Sequence, residues 1–192
     1  MRIEAVRADI TTQRVDAVVN AANSSLFGGG GVDGAIHAAA GPALLAACSE
    51  LRRTLLPNGL PVGDAVATGA GDLPARWVIH TVGPDRHAGQ TDPAQLASCF
   101  TRSLDVAAGL GARSVAFPAV SAGVYGWDVR DVARIAVEAV RAWAATQDAE
   151  ANRADAAALP AEGLGRVDLV RLVLFSDAAL DAFTAAIEGT DR

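Results

Sequence analysis

The chain has 192 residues, 51% of them hydrophobic, and a formal net charge of −6. That length and composition fit one packed domain and exclude a disordered chain. All 16 basic residues are arginines without a basic cluster, which excludes a Walker-A lysine, Schiff-base chemistry and a phosphate-neutralising nucleic-acid surface.

The first element, Arg2–Arg7 ("RIEAVR"), alternates as a strand does and lacks the apolar stretch of a signal peptide. The cytoplasm is therefore the expected compartment, and no apolar run approaches the ~20 residues of a membrane span. A second strand is expected over Val15–Asn20. After it comes "NAANSSLFGGGGVDGAIHAAA", with four consecutive glycines before a helix over Val32–Ala40. Gly41-Pro42 ends that helix and starts another.

Strands are expected over Ala65–Gly69 and Arg76–Val82. The second is nearly all apolar, as a strand covered on both faces should be, and His80 within it reads as a core histidine. Asp92-Pro93 starts a helix whose Leu96, Cys99, Phe100 and Leu104 share one face. Ser114–Phe117 is a short buried strand. Asp128 caps a longer helix with Val132, Ile135, Ala136, Ala139, Val140 and Trp143 on one stripe. Residues 147–166 have no periodic apolar face and read as a surface insertion. The last strand, Asp168–Phe175, precedes a helix capped by Ser176 with Leu180, Phe183 and Ile187 inward.

This alternation is the mark of an α/β layer fold in a single domain. Cys48 and Cys99 lie far apart, form no C-x-x-C, and read as core packing in a reducing compartment. His37, His80 and His87 have no ligand spacing, so no metal is expected.

Two glycine loops stand out, the tetraglycine and "PAVSAGVYGWD" (Pro118–Asp128), each between a strand and a helix. Loops at the carboxyl ends of strands gather on one edge of an open α/β sheet, where ligands bind. Backbone amides at helix N-termini attract anions, and a diphosphate would suit the pair. Gly29-x-Gly31-x-x-Gly34 matches a dinucleotide fingerprint, but residues 20–27 separate it from its strand, where the fingerprint needs a direct turn. Ser121 half-resembles a nucleophile elbow, yet no histidine follows it in the chain. The plainest alternative is that both loops are only turns.

"VVNAANSSLFGGGGVDGAIHAAAGPALLAAC", "VIHTVGP", "VAFPAVSAGVYGW" and "VLFSDAALDAF" together resemble a macrodomain of the MacroD type, over nearly the whole chain. The resemblance implies a three-layer α/β/α fold around a mixed, mostly parallel sheet of six or so strands. It implies ADP-ribose as ligand, with no cofactor. The implied activities are metal-independent removal of mono-ADP-ribose from acidic side chains of proteins and deacetylation of O-acetyl-ADP-ribose. By the same resemblance Asp9 accepts from the adenine amino group, and Phe175 packs on adenine. Gly30, Gly31 and Val32 form the first diphosphate loop; Ser121, Ala122, Gly123, Val124 and Tyr125 form the second. Ile10, Asn20 and Ala22 complete the ligand-binding set. Asn23 sits at the distal ribose and Asp33 near the scissile bond. Ala8, Ala122 and Ser176 depart from the family's usual glycine, threonine and aromatic.

The expected catalytic residues are Asn23, Asp33 and Tyr125: Asn23 fixes the ribose, Asp33 positions or activates water, and Tyr125 bends the ligand or serves as a lid. The expected partners are ADP-ribose, its acyl esters and mono-ADP-ribosylated proteins, with no nucleic acid or membrane, and the chain is read as a monomer. Two rival readings share this pocket, an ADP-ribose reader that cleaves nothing and an ADP-ribose 1″-phosphate phosphatase.

Overall fold

A computed structural model describes residues 1–156 and 165–189. Six strands form one sheet: β1 (Arg2–Arg7), β2 (Ala17–Ala22), β3 (Ala65–Gly69), β4 (Trp77–Val82), β5 (Ser114–Phe117) and β6 (Leu169–Leu174). Their order is β1-β6-β5-β2-β4-β3, parallel throughout except for the β3–β4 pair. The helices are α1 (Gly31–Ala40), α2 (Pro42–Thr54), α3 (Pro93–Gly109), α4 (Val129–Ala156) and α5 (Asp177–Glu188).

The pleat sorts each strand between two cores. Ala17, Val19, Ile79, Leu172 and Leu174 pack with Phe100, Val132, Val140 and Phe183 of α3, α4 and α5. Val18, Ala22, Val78 and Val82 pack with Ile36, Leu44 and Cys48 of α1 and α2. The result is the three-layer α/β/α arrangement. By the same alternation Asn20, His80 and Thr68 all face the α1–α2 layer. Register brings Asn20 opposite His80 and Val66 opposite His80, so the three polar side chains lie in adjacent strands on one face.

Strand and helix boundaries mostly fall within a residue of where the pattern puts them, with two larger differences. β2 begins at Ala17 and runs on to Ala22, because β4 pairs with it through Val82. α4 does not stop near residue 147: it continues to Ala156, through Ala, Gln, Glu and Arg residues that favour helix without needing an apolar face. The first part of the expected insertion is therefore helix, and residues 157–164 lie outside the described residues. On α5 the buried face is Ala179, Ala182, Phe183 and Ala186, with Leu180 and Ile187 at its margins.

Asp16 joins the amino ends of β2 and β5. Its Oδ2 accepts from Arg113 N (2.9 Å), Ser114 N (3.0 Å) and Ser114 Oγ (2.9 Å). Burial raises its carboxyl, but these bonds and the Arg76 charge outweigh burial and hold it below the usual 3.8. Asp16→Ala should cost about 2 kcal/mol at neutral pH, since two backbone donors lose a charged acceptor. The carboxylate's contribution is complete above the unfolded pKa and disappears as pH falls through the lower folded value. Denaturant titrations of both proteins should thus diverge at pH 7 and converge below about pH 4.

Candidate active site

The positions singled out above fall on the carboxyl edge of the sheet. Asp9 follows β1, Phe175 follows β6, the second glycine loop follows β5 and the first follows β2. Those strands are successive neighbours, so the four positions form a row roughly 14 Å long at ~4.8 Å per strand.

Asn23 shapes the first loop. Its Oδ1 accepts from Ser25 N (3.0 Å) and from Ser25 Oγ, and its Nδ2 donates to Gly28 O (2.8 Å). Gly34 is demanded by packing, because a Cβ there would stand 2.5 Å from Gly29 O. Gly30 is different. It has an extended backbone, and a Cβ would meet nothing within 4 Å. It also begins α1 without a side-chain cap, leaving first-turn amides that have no intrahelical partner.

The second loop turns on Ser121, a non-glycine residue at φ +67° whose Oγ is buried without a partner among the described residues. Backbone held in that region costs of order 1–3 kcal/mol and clusters at functional sites. The segment after β4 braces this loop. Gly83 leaves room for Ser121, Gly126 leaves room for His87, and Arg86 N donates to Tyr125 O (2.9 Å). The Arg86 guanidinium sits 5.5 Å from the Trp127 ring centroid. Gly123 resembles Gly30 in having open space around its missing Cβ. Among the described residues no group accepts from the N–H of Gly123, Val124 or Tyr125. Val124, 83% exposed, stands at the tip.

Asp33 lies between the loops, 4% exposed in the first turn of α1. Its Oδ1 accepts from Asn20 Nδ2 at 2.7 Å and faces His37 Nε2 at 3.5 Å. Its Oδ2 points at the first loop: a Cβ on Gly29 would be 3.1 Å from Asp33 Oδ2 and 3.2 Å from Asn23 Nδ2. Glycine at 29 thus keeps open the space between the acid and the asparagine. Burial, with the charges of Asp85 and Asp33, raises the Tyr125 phenol above its ordinary value, so its hydroxyl stays a donor at neutral pH.

At the far end of the row Asp9 Oδ1 accepts from Thr11 N (2.8 Å) and Thr11 Oγ1 (2.7 Å), bonds that lower its pKa. Its Oδ2 is left for a further donor. Phe175 is 94% exposed, an open aromatic face at the end of β6.

Three of the residues expected at the ligand have buried side chains. Asn20 is fully buried, and its amide is spent on Asp33 (2.7 Å) and His80 Nδ1 (3.2 Å). The pleat turns its side chain into the α1–α2 layer, where it holds Asp33. Ile10 and Ala22 are also buried, as core of that layer. Sequence reading passed over His37, although its spacing of four from Asp33 on a helix was a readable signal. Thr68, Gly83, Arg86 and His87 gave none, since only strand register and loop contact bring them to the site.

His37, Cys48 and His80 bring three donor atoms within 4.8 Å of one another. A metal on His80 Nε2 would require a proton on Nδ1, pointing at an Asn20 amide that already donates there. Metal and hydrogen-bond network exclude each other, so these residues do not fit a resident metal.

The layered fold and the paired amide-rich loops define an α/β/α protein with two glycine loops side by side on the carboxyl edge of a mixed, mostly parallel sheet. The Macro domain family model matches residues 19–136. An O-acetyl-ADP-ribose deacetylase of Klebsiella pneumoniae is 56% identical over 141 residues, 73% of this chain and 79% of that protein. A macrodomain of Oceanobacillus iheyensis solved with ADP superposes with a TM-score of 0.83 at 36% identity, covering 98% of this chain and 90% of that one. A Trypanosoma brucei macrodomain solved with ADP-ribose gives 0.80 at 34% identity, covering 96% and 68%. The chain belongs to the macro domain family.

His80 allows a test of these electrostatics. Burial, with His37 beside it, pushes its ring down to about 3 from 6.5. Unfolding then takes up a proton between those values, so its contribution to stability is complete above pH 6.5 and declines as pH falls. At pH 5 the wild-type protein should take up about one more proton on unfolding than His80→Gln, read from the slopes of stability against pH. Equal slopes would mean that the ring is charged in the fold.

Proposed function

We propose that the protein binds ADP-ribose along this edge and hydrolyses its acyl esters, releasing mono-ADP-ribose from acidic side chains and acetate from O-acetyl-ADP-ribose. The observation that carries the reading is the arrangement around Gly29, where a buried carboxylate and a carboxamide flank a space that only the absence of a Cβ keeps open. A module that only bound the ligand would have no use for burying Asp33 there, beside the anion it must hold.

In this reading each part of the ligand has its place along the row. Asp9 Oδ2 accepts from the adenine amino group, with Phe175 against the ring. The diphosphate lies between the first-turn amides of α1 and the free amides of Gly123, Val124 and Tyr125. Gly30 and Gly123 serve that contact, since neither glycine is needed by the fold. The distal ribose then reaches Asn23, whose Nδ2 retains one N–H after serving Gly28. Ser121 contributes its buried hydroxyl to the same loop.

Ester hydrolysis joins a water oxygen to the acyl carbon and returns the alkoxy oxygen to the ribose as a hydroxyl. Asp33 orients that water and takes its proton through Oδ2, while Oδ1 stays fixed by Asn20. The neutral Tyr125 hydroxyl donates toward the developing oxyanion or the diphosphate. General-base help of this kind is worth roughly 10²–10⁴-fold, and positioning adds to it.

A time course of ADP-ribose release from a glutamate-linked, mono-ADP-ribosylated protein tests the proposal, with acetate and phosphate release measured alongside. Asp33→Ala should lower the rate well over tenfold with the ligand still bound. A wild-type protein that binds ADP-ribose and releases nothing would be a reader, and phosphate release from ADP-ribose 1″-phosphate without ester cleavage would make it a phosphatase.

The glycines supply a second test. Gly123→Ala should leave the melting temperature within a few degrees, since the added Cβ meets no protein atom. It should nonetheless weaken ADP-ribose binding about tenfold or more by calorimetry, because the methyl occupies the ligand's space. Unchanged affinity would remove the second loop from the diphosphate site.

A further inference from the structure

Behind Asp33 runs a chain of buried polar groups that the proposed reaction does not touch. Thr68 on β3, His80 on β4 and Asn20 on β2 lie side by side beneath α1. Thr68 Oγ1 is 3.0 Å from His80 Nε2, Asn20 Nδ2 is 3.2 Å from His80 Nδ1, and the same Nδ2 is 2.7 Å from Asp33 Oδ1. Cys48 Sγ stands 3.6 Å from His80 Nε2.

The chemistry of the four groups leaves one arrangement of protons. A carboxylate only accepts, so the Asn20 atom facing Asp33 is its nitrogen. That nitrogen carries two protons and lies against His80 Nδ1, which must therefore be bare. A neutral imidazole with a bare Nδ1 has its proton on Nε2, where Thr68 Oγ1 accepts it. The hydroxyl oxygen thereby serves as the acceptor that this tautomer needs, with the Cys48 sulfur, 3.6 Å away, a weaker one, and the bare Nδ1 in turn holds which way the Asn20 amide points. Were the ring reversed, Nδ1–H would meet an N–H, and Asn20 would turn its oxygen toward His80. Asn20 Oδ1, buried without a partner, is the atom that a turned amide would redirect.

We infer that Thr68 and His80 are positioning residues for the ester hydrolysis proposed above. They lock the Asn20 amide as a donor and so hold Asp33 Oδ1, leaving Oδ2 aimed at the space beside Gly29. The inference rests on that hydrolase reading. It is separable from core packing, because Thr68→Val keeps shape, strand preference and burial and removes the oxygen acceptor of Nε2–H, leaving only the weaker Cys48 sulfur.

The titratable groups around His80 are Asp33 and His37 on α1 and Cys48 on α2; none of them changes in the variants used. Thr68→Val should lower kcat for ADP-ribose release roughly tenfold, as a loosened catalytic group does, with the ADP-ribose Kd within about twofold. Thr68→Ser, which restores the hydroxyl, should recover most of the rate. The ring's ¹⁵N shifts supply a readout independent of turnover: wild type and Thr68→Ser should show bare Nδ1 and protonated Nε2, and Thr68→Val a mixture of tautomers.

A wild-type ring protonated on Nδ1 would overturn the inference. So would a Thr68→Val enzyme with unchanged kcat, or one whose kcat and affinity fall together while Thr68→Ser fails to restore them. A wild-type protein without any release would sink the hydrolase reading by itself. The lock on Asn20 would then stand or fall on the tautomers alone.

Discussion

The hydrogen bond from Asn20 to Asp33 is the constraint on which the cleft depends. A carboxylate that is 4% exposed must have partners or give up its charge. Asn20 supplies one from the central strand, and that single contact ties the sheet to the first turn of α1. The helix start then falls against Gly29, whose carbonyl fits only because residue 34 is glycine. The position of the acid, the course of the tetraglycine loop and the seat of α1 are therefore one decision, made by a buried polar pair.

The rest of the edge is arranged around that point. β5 lies beside β2, so the second glycine loop leaves the sheet next to the first. Keeping Ser121 at a positive φ requires outside support, and the segment after β4 gives it through Gly83, Arg86 and His87. Two kinds of glycine result. Gly34, Gly83 and Gly126 are glycines because protein atoms crowd them; Gly30 and Gly123 face open space. The second kind is left unexplained by packing within the described residues.

Much of this was legible beforehand. Periodicity placed the strands at Arg2–Arg7, Ala65–Gly69 and Ser114–Phe117 at their observed bounds, because each is a short alternating or apolar run bounded by polar and turn residues. His80 reads as a core histidine in the sequence and is one. α4 ran past its expected end because residues of good helix propensity can extend a helix without an apolar stripe. Asn20 is expected at the ligand only through the resemblance, and which way its side chain turns is set by the pleat, which sends it into the α1–α2 layer.

By itself the sequence determined the layer architecture, the two amide-rich loops and the pairing of Asn23 with Asp33 around the glycines. Those follow from local rules: apolar period, capping residues, and the backbone freedom that glycine alone supplies. Only the tertiary structure decided that Asp33 is held from below through Asn20, His80 and Thr68, and that Gly83 and His87 brace the second loop. Those contacts join β2 to β4, β4 to β3 and one loop to another across 12 to 60 residues of chain. They depend on strand register, which shifts every side chain to the opposite face when it moves by one residue.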